Sequence, residues 1–253
     1  MDTQAQKKFN ILLIGDTCVD VYQYGTIDRL SPEAPVPVFV PKFKEEREGM
    51  AGNVYTNLVT LGCTVNLLCG HASTKTRLID QRSRQQIVRI DEDVKSTPIR
   101  FETAIPPYDA VVISDYAKGV VDYELIDDVI EQSQQGTRFP VFIDTKLTDL
   151  GRMQGAWVKI NEPEYAKIRS ECTGLIVTRG ARGAEVIHHN IKEFAPPVEV
   201  VDVTGAGDTF LAALTYQYLV TKNIRTAVAF ANRAAAVTVQ HLGVYAPTLQ
   251  EIQ

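Results

Sequence analysis

The stretch Val201-Asp202-Val203-Thr204-Gly205-Ala206-Gly207-Asp208-Thr209-Phe210 puts two glycines and a carboxylate where an apolar run gives way to helical spacing. Gly205 and Gly207 let the backbone turn tightly and leave N–H groups at a helix start, where unpaired donors and the macrodipole attract an anion. Asp208 follows at once. A carboxylate beside such a nest can accept a hydroxyl proton while the amides hold a migrating phosphoryl group. The structural alternative is a Gly-Ala-Gly turn with an Asp that merely caps a helix running from Thr209 to about Leu219.

Outward from this stretch, strand-like apolar runs recur at residues 9–15, 64–69, 110–114, 140–144, 156–160 and 175–178, several separated by segments of helical spacing. That alternation predicts an α/β fold with a mainly parallel sheet flanked by helices. A helix starting near Ala51 gathers Val54, Leu58 and Leu61 on one face and stops at Gly62, and residues 122–135 gather Leu125, Ile126, Val129 and Ile130. The alanine-rich segments 208–220 and 225–240 predict a closely packed final pair of helices. Two regions depart from this pattern. The proline-broken run 35–41 and the short alternating runs 84–91 and 99–103 predict a small antiparallel flap, over about residues 22–48 and 84–103, or else an ordinary surface hairpin.

The 253 residues, 45% hydrophobic and 23% charged, suffice for one α/β domain over the whole chain. A net charge of −5 argues against a general nucleic-acid-binding face, so a phosphate site must be local. No apolar run approaches the ~20 residues of a spanning helix, and the first residues show no secretory apolar region, so no membrane partner and a cytoplasmic location are expected. Cys18, Cys63, Cys69 and Cys172 lack metal-ligand spacing, which predicts reduced thiols. The adjacent His188 and His189 are read as opposite faces of a strand.

The stretch 202–208 resembles the Asp-Thr-x-Gly-Ala-Gly-Asp motif of the ribokinase/PfkB carbohydrate kinases. The resemblance extends to Gly15-Asp16-x-x-x-Asp20, Gly25, Arg29, the run Ser31-Pro32-Glu33-Ala34-Pro35-Val36-Pro37-Val38, Glu46-Arg47-x-Gly49 and Asn53. With Gln85-Gln86-Ile87-Val88-Arg89-Ile90-Asp91 and residues 113–119, these look like the kinase domain of heptose-phosphate kinases. The resemblance implies a ribokinase-like fold whose antiparallel β-lid covers the sugar and pairs with a second subunit as a homodimer.

It further implies that Asp208 is the catalytic base and that Gly205, Ala206 and Gly207 form the anion hole. Asp16, Asp20, Gly49 and Asn53 would contact the sugar. For Asp16, Asp20 and Asn53 the alternative is the capping of a turn or helix. Met50 replaces the second glycine of the usual pair. A phosphorylated sugar needs cations, and Arg77 and Arg89 are the candidates among Lys75, Arg77, Arg89 and Lys118, each of which reads equally well as a surface charge.

For ATP and Mg²⁺, Asn161 and Glu164 resemble the family's Asn-x-x-Glu motif, with Mg²⁺ held partly through water. On spacing alone, Pro163 and Glu164 also read as a helix start. Thr178, Gly180 and Gly183 match the nucleotide loop or form a simple turn. Asn232 matches a position lining the adenine pocket, and Lys146 either neutralises transferred phosphate or is a surface charge. Two peripheral segments are short for the family, one after Gly70 and one between Asn161 and Thr178. The resemblance therefore leaves three readings: a kinase of heptose 7-phosphate, a related sugar or nucleoside kinase, and a binding protein that kept the fold and lost turnover.

Overall fold

The computed structural model describes residues 8–135 and 138–252. The chain begins with β1 (Asn10–Gly15), β2 (Thr17–Leu30) and β3 (Pro37–Met50), then α1 (Ala51–Thr60), β4 (Thr64–Cys69), β5 (Ser73–Asp80) and β6 (Gln86–Glu92). It continues through β7 (Ala110–Ser114), α2 (Tyr123–Gln134), β8 (Val141–Asp144), β9 (Trp157–Asn161), α3 (Glu162–Tyr165) and β10 (Leu175–Thr178). The last part holds β11 (Ala184–Val186), β12 (Ile191–Glu193), α4 (Ala206–Thr221), α5 (Ile224–Thr238) and α6 (Leu249–Ile252).

One sheet has the order β12-β11-β10-β9-β8-β7-β1-β4, parallel from β10 to β4 with an antiparallel edge at β11 and β12. Its central strands are apolar on both faces because both faces are covered. Strand alternation turns Ile11, Leu13 and Val112 toward α1, α4 and α5, and Leu12, Ile14, Val111 and Ile113 toward α2. Helix α4 is buried on most of its circumference, and Ala227, Ala231 and Ala234 let α5 pack against it without bulk between the axes. These packings fix the start of α4 at the carboxyl ends of the strands, where an open α/β sheet leaves its cleft.

The second sheet has the order β3-β2-β5-β6, with antiparallel outer pairs and a parallel β2–β5 junction. It starts as soon as β1 ends. Pro37 and Pro41 are tolerated because β3 is the sheet edge, and Pro41 sits at a register shift between Tyr24 and Gly25 where Lys42 goes unpaired.

Three sequence expectations need correction. The segment 99–103 is not a strand: Ile99 and Phe101 pack onto the α2 side of the core, so tertiary burial rather than pairing uses their apolar side chains. The flap is broader than expected, because β2 and β3 pair down to Thr17 and Met50 and the unanticipated β5 joins their sheet. His188 and His189 lie in a 3-10 turn, where His188 meets Glu171 at 2.8 Å and His189 packs beside the Trp157 ring. The short segments appear as a direct passage from β4 to β5 and as a single-turn α3 between β9 and β10. All four cysteines are free.

Candidate active site

Asp208 occupies the first turn of α4 and is 4% exposed. Its two oxygens accept from different elements: Oδ2 from Asn53 Nδ2 of α1 at 2.9 Å, and Oδ1 from the Tyr116 hydroxyl, just past β7, at 2.6 Å. Burial pushes the carboxyl up to about 6, against the lowering effect of these two bonds, with Asp144 adding to the rise and Lys159 opposing it. A carboxylate with that value is a base at neutral pH and strong enough to take a hydroxyl proton.

Gly205 takes φ +79° at the mouth of α4, and a Cβ there would stand 2.6 Å from Asn53 Nδ2. Glycine is required both for the left-handed turn and for the approach of Asn53 to Asp208. The amides of Gly207 and Asp208 lie in the helix's first turn, whereas that of Ala206 makes a long bond of 3.3 Å to the Val203 carbonyl. Asp202 braces the turn by accepting from Thr204 N, Thr204 Oγ1 and Gly243 N at 2.8–3.0 Å.

Of the sugar candidates, Asp20 lies buried at the root of the lid, ion-paired with Arg77, and a methyl on Gly49 would overlap its Oδ2. Arg77 stacks over the Tyr22 ring, with 5.2 Å to the centroid. Arg89 is its cross-strand neighbour on β6, solvent-exposed and held by Asp91 through two 2.8 Å bonds. Asp16 is buried, 1% exposed. Its carboxylate accepts the backbone amides of Tyr116, Lys118 and Val120 at 2.9–3.2 Å, so the capping alternative describes it and its product is the placement of Tyr116. Met50 holds the glycine-like backbone, at φ 56°, with its side chain buried.

On the other side of Tyr116, Lys146 Nζ lies 5.2 Å from the ring centroid and pairs with Glu164 Oε1. Burial works against the ammonium, yet Asp144 and Glu164 more than offset it and hold Lys146 above its ordinary value. Asn161 and Glu164 form a reciprocal capping box at the start of α3, with bonds of 2.8 and 2.9 Å. The helix-start reading is thus realised while the second carboxylate oxygen still faces Lys146. Thr178 Oγ1 donates to the Ile160 carbonyl, and Gly180 and Gly183, both at positive φ, close a turn through Arg179 N to Gly183 O at 2.7 Å. Asn232 is buried and gives its amide to the Glu193 carbonyl at 2.8 Å, tying α5 to β12.

Three site residues escaped the sequence reading in these roles. Tyr116 lay within a quoted motif without an assigned task, and the buried pair Lys159–Asp144 was signalled only by a lysine in the otherwise apolar strand Trp157-Val158-Lys159-Ile160.

The profile of the pfkB family carbohydrate kinases matches residues 70–251. The chain belongs to this family. It is 33% identical to the "Bifunctional protein HldE" of Vibrio parahaemolyticus over an aligned span of 300 residues, covering 96% of this chain and 62% of that protein. The same-named protein of Nitratiruptor is 34% identical over 97% of this chain and 64% of its own length. The chain thus spans less than two thirds of these curated relatives, and the aligned spans exceed its own 253 residues, in keeping with trimmed segments. The fold is shared with the Arabidopsis thaliana ribokinase solved with ribose and ATP, at TM-score 0.68 and 14% identity over 97% of this chain and 98% of that one. This pfkB-family chain has the ribokinase-like fold, a mostly parallel sheet with helices and a smaller lid sheet. Among the described residues, no helix is long and apolar enough to cross a membrane.

Proposed function

We propose that this chain transfers the γ-phosphoryl group of ATP to a hydroxyl of a sugar phosphate, with heptose 7-phosphate giving the 1,7-bisphosphate. The observation that carries the reading is Asp208, buried and pushed up to about 6 at the mouth of α4, with Asn53 and Tyr116 fixing both oxygens. The substrate hydroxyl gives its proton to Asp208, its oxygen bonds to the γ-phosphorus, and the bond from that phosphorus to the leaving ADP oxygen breaks. Amides of the 205–207 turn hold the charge on the migrating group.

Asp20, Gly49 and Asn53 form the sugar end of the cleft, with Arg77 and Arg89 on the lid strands β5 and β6 as cations for a second phosphate. Lys146, Thr178, Gly180, Gly183 and Asn232 belong to the nucleotide end, where glycines admit close approach to backbone. Mg²⁺ keeps most of its waters and needs only one or two protein carboxylates beside the phosphates. The Glu164 carboxylate, partly exposed and already balanced by one ammonium, fits that demand, with Asn161 bracing it. Bound there, Mg²⁺ would neutralise charge on the ATP phosphates. Heptose is favoured by the resemblance of residues 15–53, 85–91 and 113–119 to heptose-phosphate kinases.

A homodimer through the lid belongs to the same reading, since Val40, Phe43, Val88 and Ile90 are exposed there. The single-turn α3 favours a second reading, a sugar- or nucleotide-binding protein of this fold without turnover. ADP release measured with heptose 7-phosphate, ribose, fructose and adenosine separates these readings. Release with the heptose phosphate that is lost in Asp208→Asn supports the first. Binding of a sugar with no Asp208-dependent release from any substrate supports the second.

A further inference from the structure

Lys159 is the one buried lysine among the described residues, and it sits in β9, a central strand of the large sheet. The alternation that turns Val158 and Ile160 toward α2 turns Lys159 toward α4, in register with Asp144 on the neighbouring strand. Its Nζ donates to Asp144 Oδ2 at 2.6 Å, with both side chains about nine-tenths or more out of solvent. The same ammonium lies against the second residue of α4: a Cβ built on Gly207 would stand 2.9 Å from it.

Two features make this an unfinished arrangement. A cation against a helix N-terminus faces the positive end of the macrodipole, which is unfavourable unless an anion lies between or beside them. Asp144 supplies one charge but leaves its Oδ1 buried and without a hydrogen-bond partner. A pair buried at such cost is weak support for folding, because an apolar pair of similar volume would serve the core as well or better. It is well matched to a site where an anion arrives during turnover.

We propose that Lys159 is a catalytic residue of the phosphoryl transfer: its ammonium contacts the migrating phosphoryl group over Gly207, and Asp144 holds it in place until that group arrives. The inference rests on the kinase reading above. It also gives Gly207 a second task, since a side chain there would push the ammonium off the anion hole.

The test is the double variant Lys159→Gln with Asp144→Asn, which replaces the ion pair by a neutral hydrogen-bonded pair of similar shape and keeps the fold, checked by thermal melting. The expected result is a kcat reduced about 100-fold or more, the scale of losing one preorganised donor, with the sugar KM changed less than threefold. A second readout needs no turnover: calorimetric binding of ADP with aluminium fluoride, a mimic of the group in flight, should weaken at least tenfold while ADP alone binds within threefold of wild type. A double variant that keeps wild-type kcat and binds the fluoride complex normally overturns the proposal. Lys159 would then be a structural partner of Asp144. If the unsubstituted protein releases no ADP from any sugar, the kinase reading falls, and the binding measurement still judges Lys159.

Discussion

Asp208→Asn changes activity and stability in opposite directions at neutral pH. Holding the carboxyl at about 6 in place of 3.8 means that the folded protein binds its proton more tightly than the unfolded chain does. Stability is therefore undiminished below pH ~4, falls as the pH rises through the interval, and is lower by roughly 3 kcal/mol above pH ~6. The variant has no such titration. The bonds from Asn53 and Tyr116 are already contained in that value, so they take nothing further from the pH-dependent part of the comparison. Urea melts at pH 4 and pH 7 should show the stability gap between the two proteins moving by about 3 kcal/mol in the variant's favour as the pH rises. In the same preparations ADP release should fall by about 10²- to 10⁴-fold, roughly 3–5 kcal/mol of barrier, without unfolding. The wild-type kcat/KM should climb with pH through about 6 as the base ionises. A stability gap that stays constant with pH, or a variant keeping more than a tenth of the rate, would refute the reasoning.

Gly205→Ala forces a Cβ into a φ of +79° and toward Asn53 Nδ2, so it should cost about 1–2 kcal/mol in chemical denaturation and lower kcat as Asn53 leaves Asp208. Asp16→Ala strands the amides of Tyr116, Lys118 and Val120; a loss of about 3 kcal/mol or more is expected by thermal melting, with a rate defect from the displaced Tyr116 hydroxyl. Arg89→Ala removes an exposed ion pair, so stability should stay within about 0.5 kcal/mol of wild type. Its KM for a sugar phosphate should rise several-fold while that for an unphosphorylated sugar does not move, as read from steady-state kinetics with both substrates.

The parallel core was legible because its strands are short, continuous apolar runs, and α1, α2, α4 and α5 announce themselves through apolar spacing and their stops. The β5 strand was not, since Ser73-Thr74-Lys75-Thr76-Arg77 is polar and becomes a strand only by lying between β2 and β6. The reverse holds for Ile99 and Phe101, whose strand-like composition is spent on burial against the α2 side. At the site, the glycine turn and Asp208 could be read from sequence because left-handed backbone and an anion nest demand those residue types. Asp16 shows the limit: a carboxylate after a strand suits a hydroxyl or a row of amides equally, and only the path of residues 115–120 decides. The Lys159–Asp144 pair depends on strand register between β8 and β9, which no local pattern encodes.

The most direct measurement is phosphorus NMR of ATP and heptose 7-phosphate incubated with the protein, which reports where the phosphoryl group lands. The account predicts a new resonance from phosphate on the anomeric oxygen, growing as ADP appears and absent with Asp208→Asn. Persistence of that resonance in the variant, or ATP left intact by the wild-type protein with every sugar offered, would contradict it.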